Sequence, residues 1–179
     1  GREAVSRARD TLPLAGRRLL VTGASRRAGI GFAIACRLAA YGASVACHRH
    51  AAHDEAHNGG AEDADVVLAG VAEHLTPEAR VIGLEADLAD PRASAALIAR
   101  AAEELGPLDG LVANQALNGR DASLSEVTPE MLDAHVAVDY RASVLLAQAF
   151  AAQLGAEAGG IVFLTSGQGG GPMPGEVAY

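Results

Sequence analysis

Residues 17–41 constrain the fold more than any other stretch: Arg-Arg-Leu-Leu-Val-Thr-Gly-Ala-Ser-Arg-Arg-Ala-Gly-Ile-Gly-Phe-Ala-Ile-Ala-Cys-Arg-Leu-Ala-Ala-Tyr. The short apolar run Leu19 to Val21 reads as a strand buried on both faces. A turn carrying Gly23, Gly29 and Gly31 follows, then an apolar helix from Ile30 to Tyr41, with Phe32, Ile34 and Leu38 expected against a sheet. A helix N-terminus offers unpaired N–H groups and partial positive charge, and glycine lets backbone approach an anion closely. Strand, glycine turn and helix start are therefore expected to hold the phosphates of a nucleotide. An ordinary glycine-rich turn is the plainer alternative, because glycine spacing alone is a weak signal.

The same alternation runs on through the chain. Ser44 to Cys47 reads as a second strand, His48 to Gly60 as a loop, and Ala61 to Leu75 as a helix with Val67, Leu68 and Val71 on one face. Arg80 to Ala86 is a third strand. A helix is expected from Asp90-Pro91 to Leu105, with Pro91 at its first position and Leu97, Ile98 and Ala101 inward. Leu108 to Asn114 is a fourth strand, and Gln115 to Val127 a polar loop. Thr128-Pro129-Glu130 opens one long helix to about Leu154, its apolar face drawn from Met131, Leu132, Val136, Leu145 and Phe150. Ile161 to Thr165 is a fifth strand, and Ser166 to Tyr179 a Gly/Pro-rich loop that includes Pro172, Pro174 and Gly175. Five short strands alternating with helices imply a Rossmann-type, doubly wound α/β fold: a parallel sheet between two helical layers, in one domain spanning residues 1–179. Ligands of such sheets bind beyond the carboxyl ends of the strands. The glycine turn, His48-Arg49-His50, Asp87, Asn114 and Ser166 all fall there.

Composition narrows the function. A net charge of −8 argues against nucleic acid as a partner, and no apolar run reaches the ~18 residues of a membrane span. Gly1 to Asp10 is polar and lacks the apolar core of a secretory signal. Cys36 and Cys47 are expected to be reduced packing residues of a cytoplasmic protein, and no metal site is expected. All fourteen basic residues are arginine; the chain has no lysine.

These residues resemble the short-chain dehydrogenase/reductase family, and within it the 3-oxoacyl-carrier-protein reductase-like ketoreductases. The resemblance runs from Leu19 to Tyr179. The family pattern is Thr-Gly, three residues, then Gly-x-Gly; here five residues, Ala24 to Ala28, separate Thr22-Gly23 from Gly29-Ile30-Gly31. The resemblance implies cofactor contacts from Gly23, Ser25, Arg26, Arg27, Gly29, Ile30 and Gly31. It implies the same for Asp87-Leu88 at the adenine and for Asn114 and Ala116 after the fourth strand. Ala113-Asn114-Gln115-Ala116 stands where the family has Asn-Asn-Ala-Gly, so Asn114 alone agrees, and a simple strand-end turn is its alternative. An acid near the end of the second strand would select NAD; here His48, Arg49 and His50 stand there, and Arg26 and Arg27 add two more cations. NADP(H) is therefore the expected cofactor.

Ser166 and, thirteen positions on, Tyr179 match the family's catalytic pair. Hydride arriving at a carbonyl carbon puts negative charge on oxygen, which a phenol can protonate while a serine hydroxyl holds it in line. A free phenol has a pKa of ~10, so a nearby cation is needed. In the family this is a lysine four residues after the tyrosine, a position beyond Tyr179. Further strand–helix units, roughly 60 residues at about 30 each, are expected to complete the sheet, the substrate pocket and a homodimer or homotetramer interface. Asp139 occupies the family's proton-relay Asn position. It could hold the relay water, but unpaired it would raise the phenol's pKa, and a partly exposed helix residue is its plainer reading. The leading expectation is an NADPH-dependent reductase of a ketone or 3-oxoacyl thioester. A non-catalytic NADP-binding regulator, or a methyltransferase using S-adenosylmethionine, are the alternatives.

Overall fold

The computed structural model describes residues 11–57, 60–119, 121–154, 158–171 and 173–179; Gly1 to Asp10 and Pro172 lie outside the described residues. Five parallel strands form one sheet in the order β3-β2-β1-β4-β5. They are β1 (Arg18–Val21), β2 (Ser44–Arg49), β3 (Val81–Glu85), β4 (Gly110–Ala113) and β5 (Gly160–Phe163). The chain winds outward from β1 through β2 to β3, then returns to the other side for β4 and β5. That reversal opens a crevice between β1 and β4 at their carboxyl ends. The Rossmann-type expectation is met.

The inner strands β1, β2 and β4 are the buried ones, because helices cover both of their faces. On one side α1 (Ile30–Ala40) and α3 (Ala64–Ala72) cover Val21, Val45, Cys47 and Val112. On the other, α4 (Ala93–Leu105) and α6 (Ala142–Leu154) cover Leu20, Leu84 and Leu111 with Leu97, Ile98, Leu146 and Phe150. Burial pushes the Cys47 thiol up to about 12, with the charge of Cys36 adding to it, so it stays an inert packing group. At the opposite end of the sheet Asp109 ties β1 down: its carboxylate accepts from the Arg18 N–H at 2.9 Å and pairs with Arg17.

The structure corrects several boundaries. The loop expected from His48 to Gly60 contains a helix, α2 (Ala51–His57), whose first N–H donates to Glu85 Oε1. Pro91 does not open α4; it sits in a preceding turn, where Asp90 accepts the Arg92 N–H at 2.9 Å. On α1 the deepest residues are Gly31, Ala35 and Ala39, while Phe32, Ile34 and Leu38 pack at the flanks. A spine of small residues at every fourth position lets the helix axis approach the sheet, and the bulky neighbours fill the sides.

The long helix is also interrupted. It consists of α5 (Pro129–His135), a π turn (Val136–Arg141) and α6. Thr128 caps α5 by accepting the Met131 N–H, with Pro129 in the first turn as expected. One extra residue in the π turn rotates everything beyond it, so a single 3.6-residue period cannot describe both halves. Leu146 rather than Leu145 is fully buried above Phe150, and Leu132 and Val136 are exposed. Among the described residues no helix is long and apolar enough to cross a membrane.

Because Phe150 is fully buried between α4 and the sheet, Phe150→Ala should cost about 3–5 kcal/mol in urea unfolding. Leu124→Ala, at a side chain 79% exposed, should change stability by less than about 0.5 kcal/mol.

Candidate functional site

The glycine turn is held by contact rather than by freedom alone. Gly23 has φ +66°, in the left-handed region that glycine tolerates. A Cβ on Gly31 would collide with the Gly23 carbonyl oxygen and lie 2.8 Å from Asn114 Nδ2. Gly29 is the extended N-cap of α1, with no side-chain cap and no acid in the first turn. The orphan N–H groups there are left for an anionic ligand. The longer spacing is absorbed by a turn in which the Gly29 N–H donates to Arg26 O at 2.9 Å.

A cleft of about 1100 Å³ opens beyond the carboxyl ends of the strands. Gly23, Ser25, Arg26, Gly29 and Ile30 line it from the glycine turn, and His48, His50, Asp87 and Leu88 from the ends of β2 and β3. Asn114 and Ala116 follow β4; Asp139, Ser166 and Tyr179 complete the far wall. Arg27, Gly31 and Arg49 are not on this lining. Gly31 supports the turn from behind, as described. Arg27 is paired with Glu62 through both backbone and side chain, and Arg49 with Glu85 at 3.2 Å and the Glu62 carbonyl at 3.0 Å. The expected five-residue cationic cluster is thereby reduced at the cleft to Arg26 and His50.

His48 departs furthest from expectation. It is 3% exposed, and burial depresses its pKa to about 4, outweighing the hydrogen bond to Ala86 O. Nε2 donates to that carbonyl at 3.0 Å, and Nδ1 accepts the Gly23 N–H at 3.3 Å. It is a neutral strut between β2, β3 and the glycine turn, not a phosphate-binding cation. A histidine followed by Arg49 and His50 in sequence carries little sign of this burial.

Asn114 is a second strut. Its amide donates to the Thr22 and Gly23 carbonyls, each at 3.0 Å. Gln115, which departs from the family pattern, reaches the other way: its amide donates to Ser143 Oγ at 2.8 Å and binds Thr22 Oγ1 through its carbonyl. Ser143 in turn donates to the Asp139 carbonyl, inside the π turn. Asp139 is neither unpaired nor a free surface residue. Its Oδ1 accepts the Leu117 N–H at 2.7 Å and its Oδ2 lies 2.7 Å from His135 Nδ1.

Ser166 and Tyr179 both line the cleft, with a 3-10 turn (Gly167–Gly170) between them in the chain. Asp121, unremarked in the sequence, organises the approach to Tyr179. Its carboxylate accepts the backbone N–H of Ala122, Ala178 and Tyr179, the last at 2.7 Å. Partial burial raises its pKa, but these donors outweigh that and hold it below the usual carboxylate range. Gln115, Asp121 and His135 are the site residues that sequence reasoning missed. Only Gln115 carried a signal, as a mismatch within an otherwise matching motif.

The unfolded chain protonates His48 as pH falls through about 6.5, and the folded chain only near 4. The stability held by the neutral ring is therefore complete above 6.5 and lost as pH falls towards 4. Between pH 7 and pH 5 the native protein should lose about 2 kcal/mol more than His48→Asn in denaturant unfolding.

The family model described as short chain dehydrogenase matches residues 17–179. An uncharacterised oxidoreductase of Bacillus subtilis, YjdA, is 32% identical over 165 residues, which cover 89% of this chain and 61% of that protein. Versicolorin reductase 1 of Aspergillus parasiticus is 34% identical over 157 residues, covering 88% of this chain and 54% of its own. The crystal structure of a Burkholderia cenocepacia short chain dehydrogenase in complex with NADP superposes with a TM-score of 0.73 at 37% identity. That match covers 90% of this chain and 60% of the other. The chain thus spans about 54–61% of the length of these two curated relatives. With a sheet order, glycine turn and matched span that all agree, the chain belongs to the short-chain dehydrogenase/reductase family.

Proposed function

We propose that this protein is an NADPH-dependent reductase of a ketone or 3-oxoacyl thioester, cytoplasmic and homo-oligomeric. The observation that carries the reading is that Ser166 and Tyr179 line the same cleft as the uncapped start of α1. The residues present fit a dinucleotide. The Gly23–Gly31 contact leaves backbone where a Cβ would otherwise stand, and the Gly29-Ile30-Gly31 amides suit a diphosphate. Asp87 and Leu88 would flank the adenine, and Asn114 and Ala116 the passage towards the nicotinamide. Arg26 is the arginine at the cleft free to meet a 2′-phosphate, and His50, 3.8 Å from Asp87, stands beside it. Of the acids near the end of β2, Glu85 is paired with Arg49 and Glu62 with Arg27, and neither lines the cleft, whereas Asp54 of α2 and Asp87 do. The Burkholderia relative crystallised with NADP supports the same choice.

When bound, the cofactor supplies hydride to the carbonyl carbon. Ser166 donates a hydrogen bond to the carbonyl oxygen and holds it in line. Tyr179 gives its phenolic proton to that oxygen as charge develops there. Asp121 fixes the Tyr179 backbone through two adjacent N–H groups, so the phenol meets the substrate at a set depth.

In the intact gene product, Tyr179→Phe should lower kcat for ketone reduction by about 10²–10⁴-fold while NADPH affinity is retained. Arg26→Ala should weaken NADPH about 10–100-fold and leave NADH unchanged. Stopped-flow turnover and fluorescence titration check both. Absence of NADPH binding, or undiminished turnover without the phenol, would overturn the reading; tight NADPH binding without turnover of any carbonyl would favour a regulatory role.

A further inference from the structure

His135 ends α5 with its imidazole 3% exposed, yet it lines the cleft with Ser166 and Tyr179. Its Nδ1 is 2.7 Å from Asp139 Oδ2, while its Nε2 is buried without a hydrogen-bond partner among the described residues. Its ring stands edge-on to that of Tyr179, with centroids 6.4 Å apart and an interplanar angle of 84°. A carboxylate on Nδ1 makes that nitrogen the donor and leaves Nε2 of the neutral ring as acceptor. A buried acceptor without a donor costs about 1–3 kcal/mol, so an apolar side chain would fill this space more stably.

The surroundings of the ring are polar on every side that matters. Asp139 faces it from the π turn, locked by the Leu117 N–H on its other oxygen. Asp121 feels its charge from the connection between β4 and α5. The phenol of Tyr179 closes the third side. His135 and Asp139 are four residues apart, so they share one side of the helix as any such pair does, and both line the cleft.

Building on the reading of Tyr179 as proton donor, we propose that His135, oriented by Asp139, is a positioning residue for Tyr179. The imidazole fixes the plane of the phenol ring through the edge contact.

Histidine ¹⁵N and tyrosine ¹³Cζ NMR of the intact protein, with Tyr179 assigned by Tyr179→Phe, tests this without cofactor or turnover. The Tyr179 resonance should step in parallel with the titration of His135, and the step should vanish in His135→Phe. Asp139→Asn offers Nδ1 an amide donor, so it should invert the neutral tautomer to Nε2–H. The same variant should lower kcat about 10-fold or more with KM within about 2-fold. A Tyr179 step that persists in His135→Phe overturns the proposal. So does a tautomer unchanged in Asp139→Asn, and that variant decides alone if the first does not fold. Loss of the reductase reading would appear instead as failure of NADPH binding in the native protein, a result separate from the coupling of the two rings.

Discussion

The structure depends on a contact between two pieces of backbone. The first turn of α1 lies directly on the carbonyl of Gly23, with Gly31 at the touching point. Any side chain at Gly31 would have to displace either a helix anchored by Ala35 and Ala39 or a turn pinned by His48 and Asn114. The packing that forms the core and the geometry that opens an anion site are therefore one constraint. Small residues bring the helix down onto the sheet, and the same closeness aims its uncapped amides into the crevice.

Polar struts carry that constraint across the crevice. Thr22 is fully buried, and its hydroxyl accepts from the Asn114 and Gln115 N–H groups where β1 and β4 end side by side. Gln115 then links this point to Ser143, and Ser143 to the π turn that carries Asp139. Groups buried this way are satisfied by one another, so loss of any one leaves an orphan in a water-poor site. A single network thus sets the distance between the glycine turn on one wall and the candidate catalytic wall opposite.

The π turn is the place where helix regularity gives way to site geometry. A continuous helix would keep Val136 within about 40° of Phe150; instead Val136 is exposed while Leu146 and Phe150 are buried, and His135 and Asp139 face the cleft. The edge strand β5 keeps Val162 and Phe163 more than half exposed, in contrast to β4 between its two neighbours. Tyr179 is held not by an element of its own but by the Asp121 carboxylate reaching from another connection.

Much of this was legible in the residues alone. Apolar runs of four or five residues separated by helical periods define a parallel sheet, because only strands covered on both faces can be apolar throughout. The glycine spacing after β1, and Ser166 with Tyr179, locate the cleft because such residues fall at strand ends. Sequence could not tell which polar side chains face the cleft and which brace it. His48 and Arg49 read as cations beside His50, yet one is buried neutral and the other is turned to Glu85. Nor could a constant helical period show the π turn, or the Leu117 N–H that fixes Asp139 from another segment. Periodicity is a local property carried by neighbours along the chain. The protonation and partners of a polar group are set by what the fold brings against it from distant segments, and only the tertiary structure decides that.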